Sequence, residues 1–187
     1  MRKPYVIGIA GGSASGKTTT ANKLAEMLKD LDLLVIHMDS YFRKDLPMSP
    51  GPITGKVYKD FNMPASLELD RLRGDLQAAL DKNEHSVILI EGLMTLWDKE
   101  LSDMLDLRLF IECRTDERIL RRLKRNLAAG MAYDDITSYY LDLVRYRHDE
   151  YVEPSKWRAD LILNGAHMSQ TALDMLAFWI RGQLRKD

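Results

Sequence analysis

Tyr5-Val6-Ile7-Gly8-Ile9-Ala10 runs directly into Gly11-Gly12-Ser13-Ala14-Ser15-Gly16-Lys17-Thr18, an apolar segment feeding the pattern G-x-x-x-x-G-K-[ST]. The glycines stand where the backbone must take conformations closed to other residues, so that successive N–H groups point inward at phosphate oxygens. Lys17 is placed to reach the β and γ phosphates. Thr18 offers a hydroxyl to a magnesium ion, and a helix beginning near Lys17 turns the positive end of its dipole toward the same anion. The loop from Gly11 to Thr18, with Thr19 beside it, is the candidate nucleotide site, and ATP with Mg2+ is its expected occupant. The bland alternative is a glycine-rich turn with a chance Lys-Thr. A strand pattern before the loop and a helical pattern after it stand against that reading.

Outward from this loop, strand-like apolar runs recur at 5–10, 33–38, 86–90, 107–113 and 160–163. Helical periodicity fills 17–29, 67–81, 99–105, 117–128, 135–152 and 169–185. Alternation of this kind predicts an α/β fold with a parallel central sheet flanked by helices. Continuous runs such as Val87-Ile88-Leu89-Ile90 suit strands covered on both faces. Between 43 and 64, Pro47, Pro50, Gly51, Pro52 and Gly55 crowd together and no apolar period survives, so this stretch reads as a loop. It is either an acceptor-side or lid element or a variable surface insertion.

A chain of 187 residues with 45% hydrophobic content fills one core, and 1–187 reads as a single domain. Twenty-seven basic residues against 28 acidic ones, a net charge of -1, give no global electrostatic reason for a nucleic-acid or anionic-membrane partner. The single Cys113 cannot form an internal disulfide and reads as a core or strand-end residue, which fits a cytoplasmic location. A cleavable signal would remove the phosphate loop itself, and no apolar run is long enough to span a membrane.

Two carboxylates follow strands. Asp39, in His37-Met38-Asp39-Ser40-Tyr41-Phe42-Arg43, stands just beyond the second strand, where ligands of open α/β sheets bind. In a kinase acting on a hydroxyl, an aspartate here orients the acceptor and takes its proton; its alternative reading is a helix cap. Glu91, closing Val87-Ile88-Leu89-Ile90-Glu91-Gly92, stands where a magnesium-sphere ligand is needed, or is a solvated strand-end acid. Thr18, Glu91 and Asp39 are the candidate magnesium set. Farther on, Arg118, Arg121, Arg122 and Arg125 share one broad helical face. Such a face is either solvated or an arginine clamp over the transferring phosphate, with Arg121 and Arg122 on the nucleotide and Arg125 at the reacting group. Ala128-Ala129-Gly130-Met131 supplies a flexible break within a lid region of about 117–135. Tyr41, Phe42, Tyr58 and Phe61 form either a wall for a planar or sugar-like acceptor or loop anchors; Tyr139, Tyr140 and Trp157 read as packing of a helix on the sheet. The four histidines lack metal-ligand spacing.

The phosphate loop, Asp39-Ser40-Tyr41-Phe42-Arg43, Ile90-Glu91-Gly92, the run from Asp116 to Arg125, and Tyr151-Val152-Glu153-Pro154-Ser155-Lys156-Trp157-Arg158-Ala159-Asp160 together resemble the uridine kinase and phosphoribulokinase family over nearly the whole chain. The resemblance implies a P-loop NTPase fold with a helical lid and ATP-dependent phosphorylation of a hydroxyl on a nucleoside or other small metabolite. It implies Asp39 as catalytic aspartate, Glu91 as magnesium-associated glutamate and Arg125 as substrate-side arginine; Lys17, read from the loop itself, joins Asp39 and Arg125 as the catalytic candidates. Phe42, Arg43, Tyr58 and Asn62 are the candidate acceptor contacts. The acceptor half departs from the pattern: where the family carries a sugar-binding acid, this chain has Asn62 in Asp60-Phe61-Asn62-Met63-Pro64, and the lid lacks later arginines. The loop at 47–56 also looks unlike the nucleoside-binding hairpin of a uridine kinase. Uridine or cytidine heads the expected acceptors, followed by another sugar-like or vitamin-like alcohol. An ATP-binding switch protein, and a kinase for a phosphorylated acceptor using Arg43, Lys44 and Lys56, are the rival readings. Family members include oligomers, so a homo-oligomer is open.

Overall fold

In the computed structural model, which describes residues 3–185, the chain begins β1 (Tyr5–Gly11), α1 (Lys17–Met27), β2 (Leu33–His37), β3 (Met48–Pro50) and β4 (Val57–Lys59). It continues α2 (Leu69–Lys82), β5 (Val87–Glu91), α3 (Lys99–Asp103), β6 (Leu107–Glu112), α4 (Thr115–Ala128), α5 (Tyr133–Tyr139), α6 (Arg145–Arg147), β7 (Leu161–Asn164) and α7 (Gln170–Leu184). Five strands form a parallel sheet ordered β2-β5-β1-β6-β7, and each falls within one residue of its sequence-based bounds.

Parallel strands joined by helices need cover on both faces, and the apolar runs supply it. Alternate residues of β1 and β5 point to opposite sides. Val6, Ile88 and Ile90 pack with Leu72, Leu76 and Phe110, whereas Ile7, Ile9, Val87 and Leu89 pack with Leu24, Leu28, Leu173 and Ile180. Helix α2 contributes Leu72, Leu76 and Leu80 at four-residue steps and ends on Asn83 in the left-handed conformation. Helix α7 buries Leu173, Leu176, Ala177 and Ile180 and is capped by Ser169, whose hydroxyl accepts from the Ala172 N–H. Each such side chain removed from water contributes about 1.5–3 kcal/mol. On the outer side of α7, Met175, Phe178 and Trp179 are exposed and share a groove with Leu161 and Leu163 of the edge strand β7. No described helix is long and apolar enough to cross a membrane.

The stretch 43–64 departs from its reading as a loop: β3 and β4 pair as an antiparallel hairpin, with Ser49 opposite Tyr58. Each strand has three residues and the segment is proline-rich, so local pattern gives little sign of it. Its stability comes from elsewhere in the chain. Buried Asp142 accepts from the Thr54 N–H at 3.2 Å, from the Thr54 hydroxyl and from the Tyr58 hydroxyl at 2.7 Å. Buried Asp60 accepts from the Ser49 hydroxyl at 2.9 Å and from Arg147 at 2.8 Å. The helical run expected at 135–152 starts at Tyr133 and is not uniform: π-helical turns at Tyr140–Val144 and His148–Val152 flank α6. Trp157 does not pack on the sheet; it is 80% exposed, with the Lys156 ammonium over its ring. Tyr140 is buried as expected, whereas Tyr139 faces the hairpin.

Beneath the phosphate loop lies a partly buried charged cluster. A Cβ on Gly12 would overlap the Arg118 guanidinium and come within 3.0 Å of His148, so a side chain there would displace Arg118 from its place under the loop. Arg118 donates to the Cys113 carbonyl at 3.1 Å and to Thr115 at 3.2 Å. His148 lies 3.5 Å from Arg118 and 3.4 Å from Glu153, which Lys156 also engages. Burial first and Arg118 second pull the His148 pKa from 6.5 down to about 4, against the opposing pull of Glu153 and Asp149. The unfolded chain takes this proton at higher pH than the folded one, so the associated stability is complete above pH 6.5 and is lost as pH falls toward 4. His148→Gln should therefore flatten the acid-side fall in unfolding free energy by up to about 3 kcal/mol, read from urea denaturation at a series of pH values. Parallel pH profiles for the two proteins would refute this.

Candidate active site

The phosphate loop leaves the C-terminal end of the central strand β1. Ser15 N–H donates to the Gly12 carbonyl at 3.0 Å, Ala14 is left-handed at φ 64°, and Gly16 caps α1 at φ 105°. A side chain at position 16 would be strained at that angle. The first helical bond of α1 is Thr20 N–H to Gly16 carbonyl at 2.9 Å, and no side chain caps the helix. The earlier N–H groups are thus available to an anion.

Parallel register brings the other groups to the same edge. Ile9 of β1 and His37 of β2 both lie opposite Glu91 of β5. Buried Glu91 has both carboxylate oxygens 3.2 Å from the Thr18 hydroxyl, and His37 Nδ1 sits 2.9 Å from one of them. A hydroxyl and a carboxylate already in contact, with a histidine orienting the acid, form a hard-oxygen set that fits magnesium.

Asp39 lies in the turn Met38–Tyr41 that follows β2, exposed to the cavity. It is not a cap; His37 occupies that position and makes no capping bond. Helix α2 fixes this turn. Tyr41 donates to Asp75 at 2.9 Å, Arg71 donates to the Ser40 carbonyl at 2.9 Å, and the Glu68 N–H donates to the Tyr41 carbonyl at 2.9 Å. Burial, then the bond to Asp75, pushes the Tyr41 phenol up to about 12.

A cavity of about 750 Å³ joins these elements, lined by the phosphate loop, Asp39, Phe42, Phe61, Asn62, Leu93, Arg121, Arg122 and Arg125. Lys17 and three arginines face one carboxylate among its lining residues, so the lining is predominantly cationic and suits an anion. Burial pushes the Lys17 ammonium down, Arg125 and Arg118 push it further, and Glu91 and Asp39 only partly offset this. An anionic ligand would favour its charged form. Buried Arg122 donates from Nη1 to the Ser13 hydroxyl at 2.9 Å, while its Nε has no partner among the described residues. Burial, then Arg125, lowers its pKa. These stripped cations and the uncapped helix fit a polyphosphate such as ATP.

The arginine face divides by depth. Arg125 and Arg122 reach the cavity; Arg121 borders it while donating to the Gly165 carbonyl at 2.8 Å and the Ala166 carbonyl at 3.0 Å; Arg118 turns inward under the loop. On the acceptor side, Phe42 and Asn62 line the cavity. Phe42 packs edge-on against Phe61 with centroids 5.4 Å apart. Arg43 and Tyr58 do not join them. The chain is extended at Phe42, so its neighbour Arg43 falls on the opposite, solvent side. Tyr58 is drawn away by Asp142 and by the Tyr139 ring, 5.4 Å distant. Leu93, two residues beyond Glu91, and Tyr139, read from sequence as packing, are additions that no motif signalled.

Residues 71–172 match the phosphoribulokinase/uridine kinase family. Uridine kinase from Deinococcus deserti is 32% identical over 96% of this chain and 96% of that protein. Uridine kinase from Bacillus subtilis is 29% identical over 100% of this chain and 98% of that protein. The structure of phosphoribulokinase from Rhodobacter spheroides shares the fold, with a TM-score of 0.65 at 13% identity over 87% of this chain and 70% of that one. A family match across more than half of the residues, with full-length relatives alongside, means that this chain belongs to the phosphoribulokinase/uridine kinase family of ATP-dependent small-molecule kinases.

Proposed function

We propose that this kinase moves the γ-phosphoryl group of Mg-ATP to a hydroxyl of an uncharged nucleoside or sugar-like alcohol, with uridine or cytidine first among candidates. The observation that carries this reading is the shared cavity: Asp39 lines it together with the phosphate loop and with a wall of Phe42, Phe61, Asn62 and Leu93. The names of the full-length relatives support the pyrimidine nucleosides. Arg43, Lys44 and Lys56 do not line the cavity, and the acceptor wall itself carries no cation, which favours an uncharged acceptor over a phosphorylated one.

In this reading the loop N–H groups and Lys17 hold the triphosphate. Arg122 and Arg125 offset charge on the transferring group, and Arg121 braces the nucleotide edge. Magnesium, held by Thr18 and Glu91 with Asp39 nearby, would neutralise phosphate charge. Asp39 orients the acceptor hydroxyl and receives its proton as the oxygen attacks phosphorus; the bond to the bridging oxygen breaks and ADP leaves with the electron pair. Phe42 and Phe61 exclude water and fix the plane of the acceptor, and Asn62 hydrogen-bonds it.

Two outcomes test the assignment. Asp39→Asn should lower kcat for acceptor-dependent ADP release by about 10²–10⁴-fold, with ATP binding retained, across a panel of nucleosides, sugars and vitamin alcohols. ATP hydrolysis that no acceptor accelerates would favour the switch reading. Glu91→Gln should raise the half-saturating magnesium concentration at least about tenfold, measured as a magnesium titration of the same reaction; an unchanged titration would remove Glu91 from the metal set.

A further inference from the structure

The hydroxyl of Tyr139 is the meeting point of the acceptor wall. It donates to the Lys59 carbonyl at 3.1 Å, accepts from Asn62 Nδ2 at 2.9 Å and lies 3.4 Å from the Phe61 N–H. A phenol has one proton, and the Lys59 carbonyl takes it. Residue 62 must therefore donate to the hydroxyl, which orients the Asn62 amide with its nitrogen on Tyr139 and leaves Oδ1 as its remaining acceptor. The backbone of Asn62 is fixed as well, its N–H donating to buried Asp60 at 2.8 Å. The ring of Tyr139 performs a separate task. The Arg122 guanidinium lies over it, 5.6 Å from the centroid, and reaches from there to Ser13 of the phosphate loop.

We infer that Tyr139 is a positioning residue for acceptor recognition: its hydroxyl locks the Asn62 amide so that Oδ1 is presented to a hydroxyl or N–H of the acceptor, while its ring supports Arg122 on the nucleotide side. The inference rests on the acceptor site proposed above. It divides one side chain into two functions that different substitutions remove. Tyr139→Phe deletes the lock and keeps the ring. Tyr139→Leu deletes both.

Steady-state kinetics on wild type, Tyr139→Phe, Tyr139→Leu, Asn62→Ala and the double variant Asn62→Ala with Tyr139→Phe give the test, with uridine or whichever panel alcohol wild type phosphorylates best. Tyr139→Phe should raise the acceptor KM about tenfold, the loss of roughly one hydrogen bond's orientation, with the KM for ATP within about twofold of wild type. Tyr139→Leu should raise both KM values. In the Asn62→Ala background, Tyr139→Phe should add little, because the group it positions is gone. A merely structural tyrosine would move both KM values together in Tyr139→Phe, or show additive effects in the cycle, and either result overturns the inference. If the wild type turns over normally and only the cycle is additive, the lock fails and the kinase reading stands. A wild type that no acceptor stimulates sinks that reading and the inference with it.

Discussion

Five strands running in one direction place all their C-terminal ends on a single edge of the sheet, and the chemistry depends on that constraint. The phosphate loop leaves β1, Glu91 ends β5 and the Asp39 turn follows β2. None of these segments is near another in sequence. Ladder register alone sets Ile9 and His37 opposite Glu91, so Thr18 at the start of α1 meets the Glu91 carboxylate. A one-residue slip of β5 would turn Glu91 to the other face of the sheet. The strand is buried throughout, so a slip would also carry the Glu91 carboxylate into apolar packing.

Electrostatics then determine what the edge can bind. Lys17, Arg122 and Arg125 are gathered around a cavity whose lining carries one acid, and the first two lose part of their hydration to burial. Like charges at this density cost free energy in the absence of a ligand. A bound triphosphate would offset that cost, making binding and charge relief one event. Arg118 belongs to the same helical face but is spent inward, donating to the Cys113 carbonyl and Thr115 and filling the space that Gly12 leaves open. It supports the loop from below without touching the cavity.

The donor half was legible because its information is local. Eight consecutive residues specify the loop, and apolar runs specify the strands that carry it. Depth was not legible. Arg118 and Arg122 are buried and Arg125 reaches the cavity, although all three share one helical stripe, because which part of a broad face meets the loop depends on how α4 docks. Asp39 was legible as a strand-end acid, and the structure removes its capping alternative by placing His37 at the cap. The hairpin was not legible. Its strands are too short to show alternation, and the carboxylates that hold its tip and base come from Asp142, 88 residues beyond Thr54, and from Asp60 paired with Arg147, 87 residues beyond it.

The same difference in sequence range separates the two halves physically. Changing the phosphate loop alters backbone geometry at the sheet edge, which few residues can satisfy. The hairpin segment and Asn62 instead hang on side chains reaching across from the helical run at 133–152, where π turns shift the phase at which residues meet the hairpin. Tyr139, Asp142 and Arg147 each grip a different part of that hairpin segment: Asn62 and Lys59, Thr54 and Tyr58, and Asp60 with Ser49. An amide at position 62 is compatible with this arrangement because its partner is an acceptor whose only proton is already engaged. A carboxylate at that position would compete with the Lys59 carbonyl for the same proton and would add a second acid beside buried Asp60. Asn62, Tyr139 and Lys59 thus form a matched set, and in the proposed reading the acceptor is selected by contacts between segments that no single motif contains.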